Sequence, residues 1–138
     1  VKYLTSNGVA VMGHVGLMPQ RVDQLGGYKT QGKTPNSRQR VMDDALAIAE
    51  SGVFALVLEG VEAGLASEIT GRVKVPTIGI GAGPGCDGQV LVIYDLLNMV
   101  HSPLPKFVKI FADAGKVIKE GVNDYLSEVR NGSFPPAK

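Results

Sequence analysis

Four short apolar runs rich in β-branched residues recur along this chain of 138 residues: Val9–Gly13, Val53–Leu58, Val75–Ile80 and Gln89–Tyr94. Between the first three lie segments whose apolar residues return at helical spacing. Strands without polar alternation need cover on both faces, and that dictates a parallel sheet layered with helices. Hydrophobic residues at 44% suffice for such a core, and charged residues at 20% are ordinary for a globular surface. Disorder is therefore excluded for most of the chain.

The helical pattern is clearest from Arg38 to Ser51, where Val41, Met42, Ala45, Leu46, Ile48 and Ala49 recur and Gly52 provides the stop. A second helix is expected over Glu62–Val73, with Leu65, Ala66, Ile69 and Val73 on one face. Two closing helices are expected, roughly Pro105–Ala114 and Lys116–Val129. The Gly-rich stretch from Gly16 to Ser37 is longer than usual connections, and loops of that length tend to be functional. Between the third and fourth runs stands only Gly81–Gly88. A parallel crossover normally takes about a dozen residues, so this unit is degenerate or the fourth run is partly helical.

Charge and cysteine content narrow the function classes. Lys and Arg total 14 against 13 Asp and Glu, a net +1, which argues against a basic nucleic-acid or membrane-surface face. No apolar run approaches the ~18 residues of a membrane helix, and no signal peptide opens the sequence. The single Cys86 excludes an internal disulfide and a multi-cysteine zinc site, and two histidines make no His cage. A cytoplasmic, reducing environment is expected. The chain opens on Val1, and Lys2–Ser6 read as the last turn of a helix stopped by Asn7-Gly8, so the expectation is that an earlier segment is missing. Length favours a four-strand open sheet over a (β/α)8 barrel, which needs eight strands and ~250 residues; the abrupt start favours half a barrel.

In either architecture ligands meet the carboxyl ends of the strands, here Gly13-His14, Glu59-Gly60, Gly79–Gly83 and Tyr94-Asp95. Glu59 follows six residues without a polar side chain, and Gly60 leaves space beside it. A carboxylate between apolar walls suits proton transfer; the plainer alternative is one that accepts backbone N–H groups at the next helix start. His14, between Gly13 and Gly16, can donate to a substrate oxygen or simply bond loop backbone. The glycines of residues 81–88 lack the following Gly-Lys-Ser/Thr of a P-loop and the following helix of a dinucleotide site. Cys86 has no activating neighbour in sequence and reads as incidental, and Asp87 and Asp95 read as turn and cap residues.

Gly13-His14-Val15-Gly16-Leu17-Met18-Pro19-Gln20, followed by Gly26-Gly27-Tyr28-Lys29-Thr30-Gln31-Gly32, resembles the middle of the ketopantoate hydroxymethyltransferase family. The likeness continues through Leu56–Val61, Pro76–Gly83, Cys86–Val92, Asp95 and Pro105-Lys106-Phe107, in order and over nearly the whole chain. Met18 stands where the family usually has Thr and Asn98 where it usually has Gly; Asn is the next best residue at a left-handed position.

The resemblance implies an α/β fold that is the C-terminal half of a (β/α)8 TIM barrel. Residues 1–138 would carry parallel strands five to eight and the closing C-terminal helices of one barrel domain. It implies hydroxymethyl transfer from 5,10-methylenetetrahydrofolate to 3-methyl-2-oxobutanoate, giving 2-dehydropantoate for pantothenate biosynthesis. Mg²⁺ would act as the Lewis acid that stabilises an enolate. By the same resemblance Glu59 is the catalytic base and His14 contacts substrate, while the metal ligands lie outside this chain. The implied partners are the two small-molecule substrates, the missing N-terminal half-barrel and further copies in a homo-oligomer, decameric in bacterial members. A related Mg²⁺-dependent enzyme of the isocitrate lyase and phosphoenolpyruvate mutase kind, and a non-catalytic half-barrel, are the alternatives.

Overall fold

The computed structural model describes residues 1–18, 29–100 and 103–136. The expected loop motif Gly26-Gly27-Tyr28, with Pro19-Gln20 before it, lies outside the described residues. Two compact units divide the chain, Val1–Val90 and Leu91–Lys138.

The first unit runs α1 (Lys2–Ser6), β1 (Met12–Gly16), α2 (Pro35–Glu50), β2 (Ala55–Glu59), α3 (Ala63–Arg72), β3 (Thr77–Ile80) and β4 (Gly88–Gln89). Its four strands form one all-parallel sheet in the order β1-β2-β3-β4. The α/β class and parallel sheet expected from the apolar runs are thus present. The core lies on one face of the sheet, where Val15, Leu56 and Leu58 meet Val41, Met42 and Ala45 of α2 and Leu65, Ala66 and Ile69 of α3. On the other face His14, Val57, Glu59, Ile78 and Ile80 are half-buried.

The first strand is displaced from the run that predicts it. It spans Met12–Gly16 rather than Val9–Gly13, so His14 lies within the strand. Val9 instead donates its N–H to Leu4 O behind α1, and pairing with β2 starts only at Met12 opposite Ala55. Apolar character marks the run; the register of the partner decides which of its residues pair. Helix α2 begins three residues before the expected Arg38, because Thr34 caps it reciprocally with Ser37 and Pro35 fits its first turn.

The short β3–β4 connection is held by side chains in place of a crossover helix. Thr77, fully buried, donates both its backbone N–H (2.8 Å) and its hydroxyl (3.0 Å) to Oδ2 of Asp87. Asp87 N–H returns a bond to Thr77 Oγ1 (3.2 Å), and Thr70 Oγ1 stands 2.9 Å from the same hydroxyl. The Thr77 amide, then its hydroxyl, hold the Asp87 carboxyl below the usual carboxylate range. The fourth apolar run is only briefly strand, as the short connection suggests. β4 ends at Gln89, and Ile93–Leu96 turn into helix α4.

In the second unit α4 is followed by irregular backbone over residues 103–113 and then α5 (Ala114–Asn131). The helix expected over Pro105–Ala114 is absent. Pro103 and Pro105 interrupt its start, Phe111 N–H goes to Leu96 O and Ala114 N–H to Leu97 O, so the backbone there bonds α4 instead of itself. Asp113 caps α5 by accepting from Lys116 N–H, and Gly132 ends it in the left-handed region. Asn98, at φ +53°, occupies the left-handed conformation its asparagine was expected to tolerate. No residue of α5 is buried; its apolar face of Ile118, Val122, Tyr125 and Val129 is exposed. No helix among the described residues is long and apolar enough to cross a membrane.

Candidate active site

Strand register decides which polar groups meet at the carboxyl ends. His14 lies opposite Val57, and Gly16 opposite Glu59. Paired residues of parallel strands project to one face, so His14 and Glu59 share the face turned away from α2 and α3. Gly16 presents no side chain beside the Glu59 carboxylate, and the imidazole two residues earlier reaches forward. Nε2 of His14 stands 3.2 Å from Oε2 of Glu59.

The side chains are 36% and 20% exposed. The Nε2 atom itself is buried, and it forms no hydrogen bond among the described residues. The 3.2 Å separation from Glu59 Oε2 is an ion-pair distance without the geometry of a hydrogen bond. Val57, Ile78 and Ile80 place apolar side chains on the same face of the sheet.

The backbone at this strand end is fixed by several strands at once. Leu17 N–H donates to Glu59 O (2.7 Å) and Gly60 N–H to Ile80 O (2.8 Å). Gln31 N–H donates to Gly60 O (2.7 Å), and Glu62 N–H returns a bond to Gln31 O (2.9 Å). Gln31 thereby adds a parallel bridge with Val61. The approach of β1 depends on Gly16, at φ +98°, where any Cβ would run into the Glu59 carbonyl oxygen and a Val61 methyl.

The helix-start role considered for Glu59 belongs to Glu62. Its carboxylate accepts Gly64 N–H and Leu65 N–H, each at 2.9 Å, and pairs with Arg38 Nη1 at 3.1 Å. These amides, with Arg38 behind them, keep Glu62 below the usual carboxylate range. Arg38 also binds Glu68 (2.6 Å), which Arg72 meets from the other side (2.7 Å). This clamp was not expected from the sequence, because Glu is an uncommon N-cap and Arg38 is distant in sequence. The remaining strand-end candidates fall differently: Tyr94 and Asp95 lie on α4 in the second unit, and Asp87 serves the turn.

Among the described residues, no three His, Cys, Asp or Glu side chains converge as a metal site. The residues described here do not by themselves fit a Mg²⁺ ion, and no chemical step is derived through one.

The sequence profile of ketopantoate hydroxymethyltransferase matches residues 1–137. A protein of Carboxydothermus hydrogenoformans named 3-methyl-2-oxobutanoate hydroxymethyltransferase is 52% identical over 138 residues, all of this chain and 50% of its own length. Proteins of the same name from Heliobacterium modesticaldum and Pyrobaculum calidifontis are each 53% identical over 135 residues, 98% of this chain and 49% and 51% of their own lengths. The chain spans about half the length of the curated relatives it matches.

Proposed function

The chain belongs to the ketopantoate hydroxymethyltransferase family, and we propose that it supplies the base-bearing half of an enzyme that moves a hydroxymethyl group onto 3-methyl-2-oxobutanoate. In this reading its sheet is the C-terminal half of a (β/α)8 barrel, with the interior face carrying His14 and Glu59. The other half would complete the barrel and hold the Mg²⁺ ligands. The product is 2-dehydropantoate, an intermediate of pantothenate biosynthesis, and the one-carbon donor is 5,10-methylenetetrahydrofolate. Assembly into a homo-oligomer and a cytoplasmic location belong to the same proposal.

One observation supports the assignment most: the carboxylate of Glu59 ends β2 on an apolar face with His14 as its close polar neighbour, while the start of the next helix is capped by Glu62. A carboxylate so placed is free to take the proton from C3 of the 2-oxo acid. The electron pair of that C–H bond then forms an enolate, whose C3 attacks the one-carbon unit. His14 contacts the substrate beside it.

The test isolates the first step. This chain is joined to the other half of the Carboxydothermus hydrogenoformans relative, and exchange of the C3 proton into D₂O is followed without folate. Glu59→Gln keeps the side-chain shape but cannot accept the proton, so exchange should fall ~10²–10⁴-fold, the usual worth of a general base. Exchange at the parental rate would place the base elsewhere.

A further inference from the structure

The pair Asn-Gly occurs twice in the chain, at Asn7-Gly8 and Asn131-Gly132, each at the C-terminal end of a helix. All four residues are exposed, and both glycines are left-handed, at φ +81° and +78°. A carbon added at either glycine would meet nothing within 4 Å, so water reaches both peptides. With no Cβ beside it, a glycine nitrogen is open to attack the asparagine side chain that precedes it. The two backbones are thus alike.

The side chains differ. Asn7 donates through Nδ2 to Tyr3 O at 2.7 Å, and among the described residues no donor is directed at its Oδ1. Asn131 is polarised the other way: Oδ1 accepts the Ser133 N–H at 3.0 Å and the Ser133 hydroxyl at 2.6 Å. Glu128 O, the other acceptor within reach of that hydroxyl, is farther away at 3.4 Å. The ring closed by Ser133 N–H and Asn131 Oδ1 passes through the Gly132 nitrogen, so it folds the side-chain carbonyl toward that peptide. This nitrogen is also the less engaged of the two: Gly132 N–H reaches Val129 O at 3.4 Å, whereas Gly8 N–H reaches Thr5 O at 3.1 Å.

From this contrast we propose that Asn131 is a site of spontaneous modification, converting to aspartate and isoaspartate in water, whereas Asn7 is held back. Hydroxide takes the Gly132 N–H proton, and the nitrogen pair attacks Cγ of Asn131. The carbonyl π pair moves onto Oδ1, where the two Ser133 donors stabilise the developing charge as an oxyanion hole does. That pair returns, the Cγ–Nδ2 bond breaks, and Nδ2 leaves as ammonia with a proton from water, which regenerates hydroxide and closes a five-membered imide. Water then opens the imide at either carbonyl, giving aspartate or, with the backbone rerouted through the side chain, isoaspartate. One water is consumed and one ammonia released, with no oxidant or reductant.

Either product places a carboxylate beside the free carbonyls that end α5, where negative charge is disfavoured. Isoaspartate also lengthens the backbone ahead of Ser133 and Phe134, whose N–H groups both hold Glu128 O. The tail that sets Phe134 against Tyr125 at 5.6 Å would loosen with them.

The fusion protein is kept native at mildly alkaline pH, sampled over time and digested with a glutamate-specific protease, which places Asn7 and Asn131 in separate peptides. Mass spectrometry follows the amide-to-acid change in each peptide, and an isoaspartate-specific methyltransferase identifies the rerouted product. Asn131 should convert at least ~10-fold faster than Asn7, a solvent-screened fraction of the ~10²–10³ that one such donor is worth in an enclosed site. In urea the two rates should come within about threefold, because the folded contacts are gone. Ser133→Ala should slow Asn131 about tenfold, and Ser133→Thr, which keeps the hydroxyl, should restore it. Equal rates in the native protein, a native ratio that survives in urea, or a Ser133→Ala variant that converts at least as fast as the parent would each overturn the proposal.

Discussion

Replacing Gly16 by alanine tests whether the close approach of β1 to the Glu59 strand end builds the site. At φ +98° an alanine is strained, at a cost of roughly 1–2 kcal/mol. Its Cβ would also press on the Glu59 carbonyl oxygen and lie 2.6 Å from a Val61 methyl. Forcing such contacts costs about 1–3 kcal/mol. Relief by moving β1 away would break the 2.7 Å bond from Leu17 N–H to Glu59 O, worth about 1 kcal/mol. Strain and contact together give an expected destabilisation of about 2–5 kcal/mol, a large share of the ~5–15 kcal/mol that holds a domain folded.

Urea unfolding of the fusion protein measures it. With a slope of about 2 kcal/mol per molar, the midpoint should fall by about 1–2.5 M. Gly8→Ala is the internal control: φ is +81°, but nothing lies within 4 Å of the added carbon. That variant should lose only the strain of about 1–2 kcal/mol. Equal midpoints for the two variants would refute the packing argument. If the larger loss is seen, product formation should fall with it, because the same carbonyl anchors the strand end that carries Glu59.

Thr77→Val removes a fully buried hydroxyl on which Asp87 N–H, Asp87 Oδ2 and Thr70 all depend; urea unfolding should show a loss of about 1–3 kcal/mol. Thr77→Ser, which keeps the oxygen and deletes one methyl, should lose only about 0.8 kcal/mol. Asp87→Asn changes the acid limb of stability. A carboxyl held below its unfolded value stabilises the fold above about pH 3.9, and that contribution is lost as pH falls through the lower folded value. The variant should therefore show a shallower stability loss on acidification from pH 5 to about pH 2, and an unchanged acid limb would contradict the Thr77–Asp87 account. Residues 1–138 expressed alone should associate or precipitate. Half-buried Val57, Ile78 and Ile80 line one face of the sheet, and among the described residues no strand pairs the outer edge of β1, both association hazards. A monodisperse monomer by sedimentation that unfolds cooperatively would instead favour an open sheet that stands on its own.

Much of the layered sheet could be read from the chain because burial leaves a compositional mark. Val53–Leu58 and Val75–Ile80 contain the strands Ala55–Glu59 and Thr77–Ile80, and the expected apolar faces of α2 and α3 supply much of the core. What could not be read depends on partners distant in sequence. Val9 and Ala10 are as apolar as a strand, yet the pairing with β2 starts only beyond them, with Phe54 N–H on Val11 O and Met12 opposite Ala55. Residues 105–113 have enough Phe, Ile and Ala for a helix, but α4 takes the N–H groups of Phe111 and Ala114. The sequence likewise exposes the short connection before β4 without exposing its remedy, since only the folded chain places Asp87 against Thr77.

The same division applies within the site. Position at the end of an apolar strand singles out Glu59 as a candidate, but it says nothing about whether the carboxylate is already committed. Glu62, three residues on, shows what commitment looks like: two backbone N–H groups and one guanidinium are directed at it. Those bonds stabilise the charged form, making it a poorer proton acceptor and a better cap. Glu59 has Gly16 across from it, Gly60 after it and an imidazole that approaches without completing a hydrogen bond. Because Glu62 satisfies the start of α3, Glu59 need not do so. A bonded structural carboxylate thus stands beside one with no hydrogen bond to its side chain among the described residues, and that contrast supports the proposal of Glu59 as the proton acceptor. Arg38 supports that division from a distance, with one ion pair to Glu62 at the start of α3 and another to Glu68 within it.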